Sequence, residues 1–404
     1  MKILHTSDWH LGKRLENFAR IEEQRDFLLE IEQIADNNNV DAVVIAGDLF
    51  DTFSPPIDAL ELFYKSLKKI SKNGKRPVIA IAGNHDSPDR IAAPDPLAKE
   101  CGIFLIGYPN TKLGSIKLDS GVEITKTDNG FIELITPNSN IPLRLLHTPY
   151  ANSIRMNQYI DPENEGELRD LLADHWQELS NKYCDKNGVN ILMTHLFVIN
   201  KDGEQPEEPE DEKPILHVGG AQAIFTENIP TGINYVALGH LHRKQIVNSN
   251  KCPIIYSGSP LSYSFAEAQQ EKYVILIESN DNKITTTDIK LNSGKSLLRK
   301  TFDNIAQAVT WLQENQNCLL ELTIKTDDYL SAEDRKALYN AHDGIITIIP
   351  EIKNKDIFFE NNGTDIDLKK SREELFKEYF FKSKGQEAND SIMNIFKEIT
   401  AEDS

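Results

Sequence analysis

Residues 77–86 read PVIAIAGNHD. The apolar run Pro77–Ala82 is too short for a buried helix and rich in branched side chains, which predicts a strand covered on both faces. It stops at Gly83-Asn84-His85-Asp86, and an amide and an imidazole have little reason to follow a buried strand unless they act at its end. The same pattern recurs along the chain. Lys2–Thr6 reads as a strand running into Asp8-Trp9-His10. Asp41–Ala46 (DAVVIA) runs into Gly47-Asp48, with Asp51 three residues on. Val189–Thr194 runs into His195, and Tyr235–Leu238 into Gly239-His240-Leu241-His242. Five predicted strands thus end in small polar groups of metal-ligand type.

Between these strands lie helical patterns. Glu22–Ala35 carries Phe27, Leu28, Ile31, Ile34 and Ala35 at helical spacing, and Ala59–Ile70 is similar. Strand–helix–strand alternation implies an α/β core. Beyond Cys101 strands follow more closely, at Leu143–His147, Val189–Thr194, Tyr235–Leu238, Ile254–Tyr256 and Tyr273–Ile277, which fits a β-sandwich flanked by helices across residues 1–280. A small α/β module is expected at 281–352, with helices at Asn304–Leu312 and Ala332–Ala341 and strands at Leu319–Lys325 and Ile345–Ile349. Polar chain at 353–370 reads as a linker, containing Asn361-Asn362-Gly363. In the tail, 371–404, Ser371 and Glu374 stand in capping-box spacing. Leu375, Phe376, Tyr379 and Phe380 form one apolar stripe, and Ile392, Ile395, Phe396 and Ile399 form a second. No internal repeat is visible.

Bulk properties narrow the classes. The 404 residues are 39% hydrophobic, enough for a substantial core. No apolar run approaches the roughly 20 residues that a bilayer needs, and the apolar stretch in MKILHTSDWHLG is too short for a signal peptide. A cytoplasmic protein without membrane contact is expected. Cys101, Cys184, Cys252 and Cys318 are scattered, so reduced thiols are expected in place of a disulfide framework. The formal net charge of −19 counts against a free-standing nucleic-acid binder. Part of that charge is local, in the acidic stretch Gly203–Lys213 (GEQPEEPEDEK), read as a solvated loop. The remaining deficit implies a small substrate, or metals and a partner that bring positive charge.

In α/β sheets, ligands gather beyond the carboxyl ends of the strands, so the polar groups should converge on one rim. A phosphodiester is an anion attacked by water. Two metals roughly 3.5–4 Å apart can activate the water, hold the phosphate and stabilise the attacking and leaving oxygens. Such a pair needs one shared carboxylate and about three further ligands per ion. The i, i+2 spacing of Asp8/His10 and of His240/His242 places each pair on one side of an extended backbone. Glycines 47, 83 and 239 allow sharp turns beside the site. Taken singly, each motif has a bland reading as a surface turn or a satisfied core histidine; the joint pattern favours a metal centre. His5, His147, His175, His217 and His342 match no motif and are read as structural.

The motif order DxH, GD, GNH[DE], H, GHxH resembles that of the calcineurin-like metallophosphoesterase superfamily. HTSDWHLGKRL, AGDLFDTFSPP, AGNHDSPDR, ALGHLHRKQ and YSGSPLSYSFAEAQQEKYV narrow the resemblance to its DNA nuclease subunits, strongly over about residues 1–280 and by layout beyond. Phosphoprotein phosphatases of the superfamily continue from GD to Asp-Arg-Gly, whereas this chain has Asp51-Thr52-Phe53. The resemblance implies a metallophosphoesterase sandwich with a capping domain and C-terminal helices. Carried over by motif, Asp8, His10 and His242 would hold one ion, Asn84, His195 and His240 the other, and Asp48 would bridge them. His85 would be catalytic, protonating the leaving oxygen, with Asp51 orienting it. Mn²⁺ is the metal implied. Family members act as 3′→5′ exonucleases on duplex DNA and as endonucleases on single strands and hairpins, in DNA replication, recombination and repair. They pair with a coiled-coil ATPase through the C-terminal helices, as a homodimer within a heterotetramer. That partner would supply the missing DNA-binding charge. The acidic stretch after Lys201 is a departure that leaves the approach of DNA past His195 open. Two other readings remain: a phosphodiesterase for small nucleotide substrates, disfavoured by the cap and tail, and a non-catalytic scaffold, disfavoured by the intact ligand set.

Overall fold

In the computed structural model, the described residues are 1–157, 166–201, 223–247, 249, 251–280, 283–326, 330–352, 371–384, 393 and 396. They divide into two compact units. One comprises Met1–Ile324 with Ser331–Ile349, the other Lys325–Leu330 with Pro350–Ser404.

The first unit is built on two sheets. Six strands form the first, in the order Lys283–Lys290, Tyr273–Asn280, Lys2–Thr6, Ala42–Ile45, Val78–Ile81, Ile103–Ile106. From Lys2–Thr6 onward the pairing is parallel, as expected of strands joined by helices. The second sheet has eight strands, with Leu143–Thr148, Val189–Thr194, Tyr235–Leu238 and Ile254–Tyr256 as a parallel centre. One apolar layer fills the space between the sheets, with Ile3, Val44, Ile79, Ile81 and Phe104 from the first meeting Leu145, Ile191, Met193 and Ala237 from the second. The opposite face of the first sheet packs on helices Ile21–Asn37 and Ile57–Ile70 through Phe27, Ile31, Phe63 and Leu67. The second sheet's outer face carries helix Glu167–Tyr183, whose Leu168, Leu172, Trp176 and Leu179 are buried at helical spacing. This is the expected sandwich flanked by helices. Both sheets are covered on two faces, which is why their central strands read as unbroken apolar runs.

The small module has its own sheet, in the order Ser296–Phe302, Cys318–Thr326, Ile345–Ile352, with helices Ile305–Glu314 and Ala332–Ala341. The strand just past the expected boundary at 281, Lys283–Lys290, is the edge of the first sheet. It pairs antiparallel with Tyr273–Asn280. Its sequence, KITTTDIK, is too polar to reveal that role.

In the second unit, helix Arg372–Lys384 opens with the expected capping box. Ser371 N donates to Glu374 Oε2 at 2.9 Å, and Glu374 N donates to Ser371 Oγ at 3.3 Å. Phe376 stacks on Phe396, with ring centroids 4.0 Å apart, while Tyr379 is exposed. Ile392, Ile395 and Ile399 of the second stripe, the linker 353–370 and the acidic stretch 203–213 lie outside the described residues. Among the described residues, no helix is long and apolar enough to cross a membrane.

Candidate metal centre

The carboxyl ends of the central strands of both sheets meet at one rim. Beyond Lys2–Thr6 and Ala42–Ile45 the chain keeps pairing, with Asp8 N donating to Gly47 O at 2.9 Å and His10 N to Asp48 O at 3.0 Å. The side chains do not converge by the extended i, i+2 geometry expected. Asp8 (φ 53°), His10 (φ 43°), Asp48 (φ 49°) and His240 (φ 99°) are all in left-handed conformations. Such backbone is costly away from glycine and persists where the surroundings over-determine it, as at functional sites. Gly47, at φ +93°, needs the freedom of glycine. Gly83 and Gly239 serve close approach instead. A Cβ at 83 would lie 2.1 Å from Asp48 Oδ1, and one at 239 would lie 1.9 Å from the Ala46 carbonyl oxygen.

The seven expected ligand residues come together. His10 Nε2 and His242 Nε2 are 3.0 Å apart, and Asp8, His10 and His242 each offer an atom within 4.8 Å of the others. Asn84 Oδ1 lies 3.0 Å from His195 Nε2 and 2.9 Å from His240 Nδ1. Between these groups, Asp48 Oδ2 is 3.3 Å from His195 Nε2 and 3.5 Å from His10 Nε2. Two donors about 2.1 Å from one ion and at right angles lie about 3 Å apart, so these spacings suit a shared cation.

The remaining ring nitrogens show how each imidazole is held. His195 Nδ1 donates to the Ala46 carbonyl at 2.7 Å, leaving Nε2 directed at Asn84 and Asp48. Among the described residues, His10 Nδ1 has no hydrogen-bond partner and faces Asp51 Oδ1 at 3.7 Å, while buried His240 Nε2 has none either. His85 lies beside this group, its ring 4.9 Å from that of His10 and its N donating to Asp48 Oδ1 at 2.9 Å. Its Nδ1 is held by the backbone carbonyl of Asp51 at 2.8 Å, not by the carboxylate that the sequence suggested. The Asp51 carboxylate faces His10 and pairs with Lys13 Nζ at 3.2 Å.

Burial sets the electrostatics. It raises Asp8 to about 6, lowers His240 to about 3 and holds His10 well below the usual imidazole range. The His10–Asp48 contact is therefore one between a neutral imidazole and a carboxylate. Burial also opposes charge on Asp48 and on His195, but their mutual attraction and hydrogen bonding, with the other charged and polar neighbours, together outweigh it. Asp48 stays well below the ordinary carboxylate range, and His195 rises to about 9. A field that draws a proton onto a buried imidazole also attracts a metal cation, which displaces that proton.

Two further residues support the site from outside the expected ligand set. Buried Asp86 accepts from the N–H groups of Leu49, Phe50 and Gly83 at 2.7–3.0 Å, tying the two central loops together. Arg155 donates to the carbonyls of Gly83 (2.6 Å), Asn84 (3.2 Å) and Asp86 (2.9 Å) while lying against the Tyr150 ring. Asp86 was legible, since it directly follows Asn84-His85; Arg155 was not, because its partners are carbonyls about 70 residues away. Of the histidines read as structural, His5 is held by Tyr235 Oη and the Leu238 carbonyl, and His342 by the Asn315 carbonyl.

The calcineurin-like phosphoesterase family matches residues 1–244. SbcD, the D component of the nuclease SbcCD, from Bacillus subtilis (strain 168) is 37% identical over 99% of this chain and 98% of its own length. The SbcD proteins of Staphylococcus epidermidis and Escherichia coli K12 are 26% and 28% identical, over 95% and 83% of this chain and 93% and 81% of theirs. This chain therefore belongs to the calcineurin-like phosphoesterase family, in the group of SbcD nucleases.

Proposed function

We propose that this chain is the metal-dependent nuclease subunit of an SbcCD-type complex, hydrolysing phosphodiester bonds of DNA. The observation that carries the reading is the cluster of buried lone-pair donors at about 3 Å from one another, on a chain alignable end to end with SbcD. Asp8, His10 and His242 would hold one ion in this reading. Asn84, His195 and His240 would hold the other, and Asp48 would be shared between them. The mixed N/O set suits Mn²⁺. When bound, the two ions neutralise the phosphate and make water a competent nucleophile.

The chain's own residues do the rest. The Asp51 carbonyl fixes His85 through Nδ1, which leaves Nε2 to carry a proton toward the leaving sugar oxygen. Asp86 and Arg155 keep the Asn84-His85 turn against the Asp48 loop. Lys13 pairs with the Asp51 carboxylate, which faces His10.

The activity assigned is 3′→5′ exonuclease on duplex DNA and endonuclease on single strands and hairpins, serving replication, recombination and repair in the cytoplasm. Residues 1–280 form the nuclease domain, and 281–352 the cap, whose own sheet starts at Ser296. A linker follows at 353–370. Helices in 371–404 dock on an SbcC-type coiled-coil ATPase, within a heterotetramer built on a homodimer of this chain. The half-buried stripe of Leu375, Phe376 and Phe380 supports that docking.

The test is cleavage of linear duplex and single-stranded DNA in Mn²⁺, with and without the ATPase, against bis-p-nitrophenyl phosphate. Duplex-end cleavage stimulated by ATPase and ATP supports the reading. Turnover of the small ester alone would favour a small-substrate phosphodiesterase. Deletion from Ser371 onward should abolish co-purification with the ATPase and spare single-strand cleavage.

A further inference from the structure

Glu267 and Lys272 form a buried ion pair in the first unit, outside the recognised metal motifs. The Lys272 ammonium has three donors, and all three are used. They go to the His242 carbonyl at 3.0 Å, to Ser259 Oγ at 3.0 Å and to Glu267 Oε2. Glu267 Oε2 also accepts from Ser259 Oγ at 3.4 Å, and Oε1 accepts from Tyr263 N at 3.0 Å. That same Oε1 faces His242 Nδ1 at 3.6 Å. The pair thus meets His242 twice, Lys272 by a hydrogen bond to its backbone carbonyl and Glu267 by a carboxylate oxygen that faces its ring. The chain between them passes close beneath. Ser259 N donates to the His242 carbonyl at 3.0 Å, and a Cβ at Gly258 would lie 2.8 Å from that oxygen.

A buried ion pair costs desolvation that well-packed apolar side chains would not, so it is weak evidence of a stability role. Its geometry points elsewhere. A carboxylate facing Nδ1 at 3.6 Å favours the Nδ1–H tautomer, which leaves the lone pair on Nε2, the nitrogen lying 3.0 Å from His10 Nε2. It also makes the imidazole a stronger donor to a cation.

We propose that Glu267 and Lys272 are positioning residues that fix the tautomer and aim of His242 and thereby set the affinity of one of the two metal sites, the one built on Asp8, His10 and His242. This rests on the two-ion reading above.

The experiment is a calorimetric Mn²⁺ titration of the full-length protein, wild type against Glu267→Gln. A second variant, Glu267→Gln with Lys272→Met, removes the carboxylate without stranding a buried ammonium and serves if the single variant folds poorly. In either variant one binding step should weaken by about 10–100-fold, with the other step within about twofold of wild type. At one equivalent of Mn²⁺, electron paramagnetic resonance should then show isolated ions in the variant. Unchanged affinity for both steps in a folded variant would overturn the inference, and so would equal weakening of both. A wild-type protein that binds no Mn²⁺ would instead overturn the two-ion reading itself.

Discussion

The two halves of the site hold their imidazoles differently. In the half made of Asp8, His10 and His242, the far ring nitrogens face carboxylates, Asp51 at 3.7 Å and Glu267 at 3.6 Å. In the half made of Asn84, His195 and His240, the support runs through backbone carbonyls. His195 leans on a backbone carbonyl, and Asn84 sits on a turn held by Arg155 through three more carbonyls. Carboxylate partners strengthen imidazole donors, whereas carbonyl partners orient them with less change in basicity. The first half is thus tuned by charge and the second by backbone geometry, with Asp48 common to both.

Removing the common group should erase the difference. Asp48→Ala should lose both ions and all measurable cleavage, and retention of one tightly bound ion would show the halves to be independent. His85 belongs to neither half. His85→Ala should keep both ions and the fold while cleavage falls by about 10²-fold or more, as read by metal analysis beside a nuclease assay. Loss of an ion would mean that His85 is a ligand. Arg155→Met tests the second half. It should weaken one Mn²⁺ step and lower cleavage by about tenfold, leaving the other step intact.

A further test lies away from both halves and gauges what burial does to a histidine. His147 is buried, has no hydrogen-bond partner for either ring nitrogen among the described residues, and is pushed by burial down to about 3. Its folded pKa lies below its unfolded value of 6.5. The stability it contributes is therefore present above pH 6.5 and lost as pH falls toward 3. Urea unfolding in chelator should find His147→Leu close to wild type at pH 8 and more stable by about 2 kcal/mol at pH 5. Equal stability differences at the two pH values would contradict this.

The sequence was most readable where one physical cause dominates. Strands buried on both faces, such as Val189–Thr194 and Tyr235–Leu238, appear in the fold with the expected ends, because covering two faces demands an unbroken apolar run. Their terminal polar residues stand where such strands bring ligands together. The edge strand Lys283–Lys290 was not readable, since exposed pairing leaves no apolar signature. Nor was the left-handed backbone at Asp8, His10, Asp48 and His240. Asp and His enter that region more readily than most residues, but no local pattern marks these four, and pairing between loops holds Asp8 and His10. Asp51 shows the same limit at finer scale. The residue was legible, but which of its oxygens meets His85 depended on the turn of the chain.

The most direct test of the central claim is the Mn²⁺ stoichiometry of the purified full-length chain, measured after chelation and reloading alongside cleavage of duplex DNA. Two ions per chain, with cleavage appearing as the second site fills, is the expected result. Zero or one ion under saturating Mn²⁺, or full cleavage in chelator, would contradict it.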